Sequence, residues 1–286
     1  LERQWENYLR GQDGFERVVV DARGQRKSES LIELDEGPQR IAPRPGRNVI
    51  TTIDLDLQKA TERALARHLS GAAVVVEVRT GRVLAMASWP APDPNRLSAR
   101  ISREELERLQ NDKQRRPLMD KVVRENYFPG STFKIVPTVA ALADGWLDPG
   151  ERQLCRGSLL FGGRHFHCVE AHKRVNLVDA IAASCNVYFY GLGDRLGIDR
   201  MAEVARDFGF GATTGLGING EVPGYVPTMQ DVKKRGYQKG MALGTAIGQE
   251  SVKATVLQVA MAYAAVATGG DLYVPMLVDR IESGAG

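Results

Sequence analysis

The chain has 286 residues, of which 43% are hydrophobic, so it can bury a large core and is not expected to be disordered. Its net charge of +3 is too small to indicate a nucleic-acid-binding protein, and there is no lysine-rich tract. No apolar run approaches the length of a membrane span, and the charged opening sequence is not a signal peptide. The opening is typical of a piece of a longer protein.

The first part of the chain predicts small elements and a linker. A short helix is expected in RQWENYLRG, a strand in FERVVVDARG, and a linker in the proline- and glycine-rich EGPQRIAPRPGRN. A short strand and an amphipathic helix follow in NVITTIDLDLQKATERALARHL. AAVVVEVRTGRVLAMAS then predicts a β-hairpin, and Ser102 with Glu105 three residues later predicts the capping box of another helix.

Helical patterns dominate the rest of the chain. They cover residues 131–143, 177–183, 187–196, 201–208 and 254–268. Pro137 is expected to kink the first of these helices, and Gly269-Gly270 to end the last. DLYVPMLVDRI indicates a return to strand. This order predicts a mixed α/β (α+β) fold with helices packed on a sheet.

The most informative stretch is YFPGSTFKIVPTVAALADG, in which Ser131 precedes Lys134 by three residues. Residues three apart on a helix share one face, so the hydroxyl and the amine can meet. A serine becomes a nucleophile when a base takes its proton, and a buried lysine can be that base. The helix N-terminus would stabilise a developing oxyanion.

A second motif supports this chemistry. Ser-x-x-Lys alone is weak evidence because it occurs about once by chance in a chain of this size. The chain also contains Ser184-Cys185-Asn186 between two predicted helices. Ser-x-x-Lys together with Ser-x-Asn is typical of acyl-transfer enzymes that act through a serine.

Four blocks extend these motifs: YFPGSTFKIVPTVAALADG, AIAASCNVYFYGLGDRLGI, GRNVITTIDLDLQKATERAL and AIGQESVKATVLQVAMAYAAVATGG. Together they resemble the transpeptidase domain of class B penicillin-binding proteins. SWPAPDPNRLS and RPLMDKVVRENYFPGSTFK make the chain most similar to the cell-elongation (penicillin-binding protein 2) type. The resemblance implies a penicillin-binding protein/serine β-lactamase-like fold with helices on an antiparallel sheet. Residues 1–40 would end the non-catalytic pedestal domain and residues 41–286 would form the transpeptidase domain.

The resemblance also implies roles for four residues. Ser131 would attack the penultimate D-alanine carbonyl of a peptidoglycan stem peptide, with its backbone N–H as one oxyanion donor. Lys134 would be the general base, and Ser184 would relay a proton to the departing D-alanine. Asn186 would hold the substrate amide and orient Lys134. A neighbouring amine would complete the crosslink, a β-lactam would acylate the same serine, and no cofactor would enter the chemistry.

Partners and location also follow from the resemblance alone. It implies binding of stem peptides and β-lactams, and association with a membrane glycosyltransferase and shape-determining proteins. The domain would lie at the periplasmic face of the bacterial inner membrane, anchored by a segment before Leu1.

Three departures from the family pattern are present. Lys-Thr/Ser-Gly, the third family motif, does not occur in the 286 residues. We therefore expect a transpeptidase domain that lacks its C-terminal strands and is inactive alone, since losing one oxyanion donor costs about 2.7–4 kcal/mol. Gln249-Glu250 stands where relatives usually have Gln-Gly, and Thr255-Val256 where they usually have Thr-Pro.

The three cysteines form a further pattern with one histidine: Cys155, Cys168, His172 and Cys185. Three interpretations stay open. The first is a structural zinc site of three thiolates and one imidazole, and the second is a disulfide between Cys155 and Cys168 with Cys185 buried and free. The third is that the cysteines form neither. A metal here would hold the Ser-x-Asn loop in place without entering the chemistry.

Two more histidines, His165 and His167, alternate as on a strand and are expected at the surface, although one could replace His172 as a ligand.

Two rival functions remain. A serine β-lactamase or D,D-carboxypeptidase would hydrolyse the acyl-enzyme, but no Glu-x-x-x-Asn pattern for a deacylating water is found near the expected place. A non-catalytic β-lactam sensor or scaffold would use the same pocket for signalling.

Overall fold

The computed structural model describes residues 2–18, 20–26, 40–98, 101–236 and 240–283. Its contacts divide the chain into two units, residues 1–52 with 278–286 and residues 53–277. We label helices and strands in chain order. The helices are α1 (Glu2–Leu9), α2 (Leu55–Leu65), α3 (Pro94–Ser98), α4 (Arg103–Asn111), α5 (Ile135–Ala143), α6 (Leu177–Ala182), α7 (Asn186–Asp207), α8 (Met229–Arg235), α9 (Met241–Ala246) and α10 (Val256–Thr268). The strands are β1 (Phe15–Glu16), β2 (Arg40–Ile41), β3 (Asn48–Thr51), β4 (Gly71–Val76), β5 (Val83–Trp89), β6 (Gln153–Cys155), β7 (Ser158–Phe161), β8 (Arg164–His167), β9 (Lys173–Val175) and β10 (Val278–Glu282).

The smaller unit contains α1 and two antiparallel strand pairs, β1 with β2 and β3 with β10. The helix predicted near the start is confirmed. Among the described residues, the strand predicted over FERVVVDARG is confirmed only at Phe15–Glu16, because Val18 and Val20 are 43% and 49% exposed and contribute to no core.

Residues 36–39 of the predicted linker lie outside the described residues. The remainder is not irregular throughout, since Arg40–Ile41 forms β2 and Asn48 begins β3. The domain boundary near residue 40 stays a prediction.

In the larger unit, the predicted hairpin is confirmed as the antiparallel pair β4–β5. Val83, Ala85 and Ala87 are buried at every second position of β5, as expected for a strand with one face on a core. Helix α2 packs on this hairpin, and the side-chain amide of Gln58 bonds to the backbone of Met86 in both directions. Helix α10 packs on β4. Helices therefore cover an antiparallel sheet, as the fold class requires.

The core that supports the Ser-x-x-Lys motif is helical. Helix α7 packs against α5 and α9, and its buried residues Ile198 and Met201 belong to the same apolar cluster as Phe133. Phe133 meets Phe210 edge to face, with ring centroids 5.4 Å apart. Because Phe133 is fully buried in this cluster, its side chain fixes residues 130–134 to the core.

The predicted helix ends and breaks agree with the structure in part. The break predicted between residues 196 and 201 is confirmed, since α7 consists of two helices that meet at a kink at Gly197 (φ 72°, ψ 172°). Pro137 lies in the first turn of α5, where a missing N–H removes no helical hydrogen bond, so the predicted kink is not found. Thr255 caps α10 in a reciprocal box with Gln258, which needs no proline at residue 256.

The N-cap at Ser102 is confirmed, since its hydroxyl accepts a bond from the Glu105 N–H at 3.2 Å. The helix that it begins, α4, carries no buried residue. Capping chemistry therefore sets the start of this helix without help from a core.

A small β subdomain carries the cysteines. Strands β6 and β9 pair antiparallel, as do β7 and β8 between them in sequence. Cys155 ends β6 and Cys168 directly follows β8, so both approach the start of α7. Phe166 of β8 packs its ring against Tyr190 of α7 at 5.6 Å and fixes the subdomain to that helix.

Among the described residues, no helix combines the length and the apolar character needed to cross a bilayer.

Candidate active site

Ser131 is placed by a glycine contact. Ser131 lies in a 3₁₀ turn over Gly130–Lys134 that precedes α5. The N–H of Gly130 donates to the carbonyl of Gly248 at 2.9 Å, and a Cβ at Gly248 would lie 2.2 Å from the Gly130 oxygen. Only glycine permits this approach, so the 244–248 segment locks the start of the turn. Ser131 itself is exposed, as a nucleophile must be.

Lys134 lies one 3₁₀ turn after Ser131 and is buried, with 3% of its surface exposed. In a 3₁₀ turn, side chains three residues apart eclipse one another, so both point to the same side. The predicted shared face is therefore present, but on a 3₁₀ turn rather than on the α-helix expected from the motif.

Ser184 approaches from the turn between α6 and α7. Its backbone has φ +52°, a left-handed conformation that costs a non-glycine residue about 1–2 kcal/mol. This turn is fixed by bonds from the N–H groups of Ser184 and Cys185 to carbonyls of α6, at 3.1 and 2.9 Å. The hydroxyl oxygens of Ser184 and Ser131 are 2.7 Å apart, across 53 residues of sequence.

The amine of Lys134 has three polar partners. Its Nζ lies 2.8 Å from the Ser184 carbonyl, 2.9 Å from the Ser184 hydroxyl and 2.8 Å from Oδ1 of Asn186. A carbonyl and an amide oxygen only accept hydrogen bonds, whereas a hydroxyl does both. A neutral amine that donates to these two oxygens therefore directs its lone pair at the Ser184 hydroxyl. We call Ser131, Lys134, Ser184 and Asn186 the catalytic cluster.

Burial lowers the pKa of Lys134 to about 8, well below the ordinary value of a lysine, and the neighbouring thiols of Cys168 and Cys185 oppose this shift. With that pKa, about a tenth of the lysine is neutral at pH 7. The environment thus makes a lysine usable as a base under physiological conditions.

The four predicted metal ligands also come together. The three thiol sulfurs and one imidazole nitrogen of Cys155, Cys168, His172 and Cys185, which we call the thiol cluster, all lie within 4.8 Å of one another. Nδ1 of His172 is 3.6 Å from the sulfur of Cys155 and 3.5 Å from that of Cys168, and the sulfurs of Cys168 and Cys185 are 3.9 Å apart. All three cysteines are free, so the structure does not contain the alternative disulfide.

These distances fit one tetrahedral ion. Zinc–sulfur bonds of about 2.3 Å place the ligand atoms of a tetrahedron about 3.8 Å from one another. His165 and His167 are exposed, their rings stack on each other at 6.3 Å, and neither replaces His172 in the cluster.

The thiol cluster touches the catalytic cluster at the start of α7. Cys185 precedes the helix, and the sulfur of Cys168 accepts the backbone N–H of Asn186 at 3.1 Å. Burial raises the pKa of Cys168, but the N–H groups of Val187 and Asn186 outweigh it and bring the pKa to about 7. The Cys168 sulfur, about half ionised at pH 7, therefore lies where negative charge favours the N-terminus of the helix that presents Asn186.

Two supporting residues were missed from the sequence. Glu170 places a carboxylate 3.6 Å from Nε2 of His172, on the side of the ring opposite to the sulfurs. Gly248 fixes the approach to Ser131 as described above. The sequence contained a signal for Glu170, which lies between Cys168 and His172. Carboxylates commonly orient histidines that bind metals.

The neighbouring Glu250 accounts for one departure from the family pattern. Its backbone has φ +61°, the left-handed region in which glycine is unstrained. The fold keeps this conformation although the residue is a glutamate.

A family model described as the penicillin binding protein transpeptidase domain matches residues 71–284. The peptidoglycan D,D-transpeptidase MrdA of Salmonella typhimurium is 31% identical over an alignment of 291 residues that covers 99% of this chain and 45% of that protein. The chain thus spans about half the length of the curated relatives that it matches.

Solved structures of similar proteins also match the fold of this chain. A structure on the coordination of polymerization and crosslinking by a peptidoglycan synthase complex matches with a TM-score of 0.85 and 36% identity, over 99% of this chain and 51% of that one. The complex of Helicobacter pylori PBP2 with MreC matches at 0.84 and 26%, over 100% and 53%. The penicillin G acyl-enzyme of Mycobacterium tuberculosis penicillin-binding protein A matches at 0.74 and 30%, over 84% and 56%.

Proposed function

The chain belongs to the family of penicillin-binding protein transpeptidase domains, of the PBP2/MrdA type, and from this premise we propose that it crosslinks peptidoglycan stem peptides through a serine acyl-enzyme. The observation that carries the proposal is the chain of contacts from the Ser131 hydroxyl through the Ser184 hydroxyl to the Lys134 amine, at 2.7 and 2.9 Å. Three residues from two distant segments form a continuous route for one proton.

Acylation follows from this route. As the Ser131 oxygen bonds to the penultimate D-alanine carbonyl, its proton moves to the Ser184 oxygen while the Ser184 proton moves to neutral Lys134. The carbonyl oxygen becomes an oxyanion beside the backbone N–H of Ser131, at the start of a helical turn whose first N–H groups have no intrahelical partner. Lys134 therefore acts through Ser184 in this arrangement rather than by direct contact with the nucleophile.

Release of D-alanine uses the same route in reverse. The tetrahedral intermediate collapses, its carbon–nitrogen bond breaks, and the departing amine takes the proton of Ser184, which Lys134 replaces. An acceptor amine then attacks the ester carbonyl and gives up a proton to the same pair. The carbon–oxygen bond to Ser131 breaks, the serine regains its proton, and the crosslink is complete. Lys134 ends neutral, ready for another cycle.

Asn186 has two roles in the proposal. Its Oδ1 accepts a bond from Lys134 and so helps to direct the lone pair. Its amide nitrogen lies 3.5 Å from the His167 carbonyl, a long contact that a substrate amide oxygen could replace. Removing Asn186 would therefore disturb the orientation of the Lys134 amine and weaken substrate binding.

We assign the thiol cluster to a structural zinc ion held by Cys155, Cys168, His172 and Cys185. The support is the tetrahedral spacing of one imidazole nitrogen and three sulfurs, a donor set that zinc prefers. The ion would supply no chemistry to the reaction. One of its ligands, Cys185, lies between Ser184 and Asn186. The four ligands and the ion would therefore hold the Ser-x-Asn turn in its strained conformation.

Partners and location are proposed from the relatives. Helicobacter pylori PBP2 was solved with MreC, and a similar chain was solved within a peptidoglycan synthase complex. We propose that this protein works at the periplasmic face of the inner membrane, anchored by an N-terminal segment, beside a glycan-polymerising membrane enzyme and shape-determining proteins. Its ligands would be stem peptides and β-lactams.

The test uses the full-length protein with a fluorescent penicillin, with the label mapped by peptide mass spectrometry. We expect a long-lived adduct on Ser131 and none in Ser131→Ala. Supplied with polymerised glycan strands, the wild type should form crosslinked dimers of stem peptides and the variant should not.

Other outcomes identify the rivals. Rapid loss of the label would indicate a hydrolase, and a stable label without crosslinking would indicate a sensor or scaffold. A correctly folded full-length protein that forms no adduct would refute the proposal.

A further inference from the structure

Beneath the amine of Lys134 lies an aromatic ring that none of the motifs includes. Nζ is positioned over the ring of Phe189, 5.0 Å from its centroid. Phe189 is fully buried and follows Asn186 by three residues on α7, so it shares the helix face that meets the lysine. The same helix therefore presents both an amide oxygen and a π face to the amine.

The ring differs from the other neighbours of the amine in one respect. The Ser184 carbonyl, the Ser184 hydroxyl and the Asn186 amide oxygen use the hydrogen-bonding directions of Nζ. Phe189 has no polar atom and can neither accept nor supply a proton. What it offers is the negative face of its quadrupole, which attracts a cation and has little effect on a neutral amine.

Burial strengthens the attraction between the ring and the ammonium. Lys134 is 3% exposed and Phe189 is 0% exposed, so water does not screen the contact. Cation–π contacts are worth most when both groups are desolvated. Lys134 must be neutral to act as the base and becomes an ammonium as it takes the proton, so relative to this reactive form the ring favours the charge that develops during bond making.

We propose that Phe189 is a positioning residue for acylation, whose ring holds Lys134 beneath Ser184 and stabilises the positive charge that the lysine gains as Ser131 attacks. This inference rests on the proposed function. It assigns a role in the reaction to a residue that otherwise belongs to the apolar cluster around α7.

The test is graded fluorination of the ring. Phe189 in the full-length protein is replaced with 4-fluoro-, 3,5-difluoro- and 3,4,5-trifluorophenylalanine, which weaken the quadrupole and nearly preserve the shape. The acylation rate constant and the non-covalent dissociation constant are measured separately for one penicillin at pH 9, where most of Lys134 is neutral before it reacts. We expect the rate constant to fall stepwise, by about 30-fold over the series, the size of a desolvated cation–π contact. The dissociation constant should stay unchanged.

Two controls separate electrostatics from packing. The same series at Phe210, which is 1% exposed and meets Phe133 edge to face, should leave the rate constant unchanged. Phe189→Leu should slow acylation about as much as the trifluoro ring, whereas Tyr188→Leu should lower the melting temperature without slowing it. Tyr188 is the fully buried neighbour of Phe189 on the same helix.

The outcomes are distinct. A wild type that acylates normally, with a rate constant independent of fluorination at Phe189, overturns this inference and leaves the proposed function intact. An equal loss in the Phe210 series, or a parallel change in the dissociation constant, shows a packing role and also overturns it. A wild type that forms no adduct overturns the proposed function itself.

Discussion

The catalytic cluster and the thiol cluster meet at residues 184–186, where Ser184 and Asn186 belong to the first and Cys185 to the second, but the two clusters differ in their contacts. In the catalytic cluster, each polar partner of Lys134 is an oxygen of the protein, and buried donors meet acceptors within 3 Å. In the thiol cluster, four ligand atoms face mainly one another. If all three thiols lost their protons their charges would repel, and a bound cation would offset that repulsion. Under the proposed function, the first cluster therefore transfers a proton, and the second would hold a metal that fixes the first.

Removal of the base should have the largest effect. Lys134→Met retains the aliphatic chain but removes the proton acceptor, so acylation by penicillin should slow by about 10²–10⁴-fold, the usual contribution of a general base. Zinc content should stay at that of the wild type, because Lys134 is not among the thiol cluster ligands. Stopped-flow acylation and elemental analysis check the two halves. Near-normal acylation would separate Lys134 from the chemistry.

Loss of a thiol should affect both clusters. Cys168→Ser removes a ligand and the thiolate that accepts the Asn186 N–H. We expect loss of bound zinc, a lower melting temperature and acylation slowed by roughly 10–100-fold, as for other residues that support a site without entering it. His165→Ala, which removes an exposed imidazole outside the cluster, is the matched control. Acylation at the wild-type rate in metal-free protein would contradict the coupling between the clusters.

The pH dependence tests the environment of the base. Because burial lowers the pKa of Lys134 to about 8, the neutral lysine accumulates as the pH rises through 8. The acylation rate should therefore increase about tenfold per pH unit below 7 and level off above 8, after correction for spontaneous penicillin hydrolysis. A rate that still rises steeply at pH 10 would show a lysine with an ordinary pKa.

The smallest effect is expected for a substitution at Glu170, which contacts His172 but is not itself one of the four proposed ligands. Glu170→Gln removes the charge beside Nε2 of His172, and zinc affinity should weaken by about tenfold, the low end for such carboxylates since Glu170 is 74% exposed. Competition with a chromogenic chelator measures it. Glu104→Gln, an exposed change on α4, should leave affinity unaltered, and equal affinity in both variants would remove Glu170 from the metal site.

Sequence reasoning was strongest where the signal is local. The hairpin β4–β5, the cap at Ser102 and the end of α10 at Gly269 depend on alternation, capping and glycine, all of which act within a few residues. It was weaker where the formation of an element depends on whether its side chains are buried. Val18 and Val20 follow Phe15 in a strand-like pattern, but both are exposed, and Val20 forms only an isolated bridge with Arg26. The break in α7 was predictable because it lies at a glycine, Gly197.

By itself, the sequence determined the chemical inventory: a serine and a lysine three residues apart, a Ser-x-Asn motif, and three cysteines with one histidine. Tertiary structure alone decided that the proton route runs through Ser184, that Phe189 lies beneath the amine, and that the four ligand atoms converge. Hydrogen-bond and cation–π geometry require atoms within a few ångströms, and here they come from segments about 50 residues apart. Spacing along the chain cannot set such distances; the packing of α5 against α7 does.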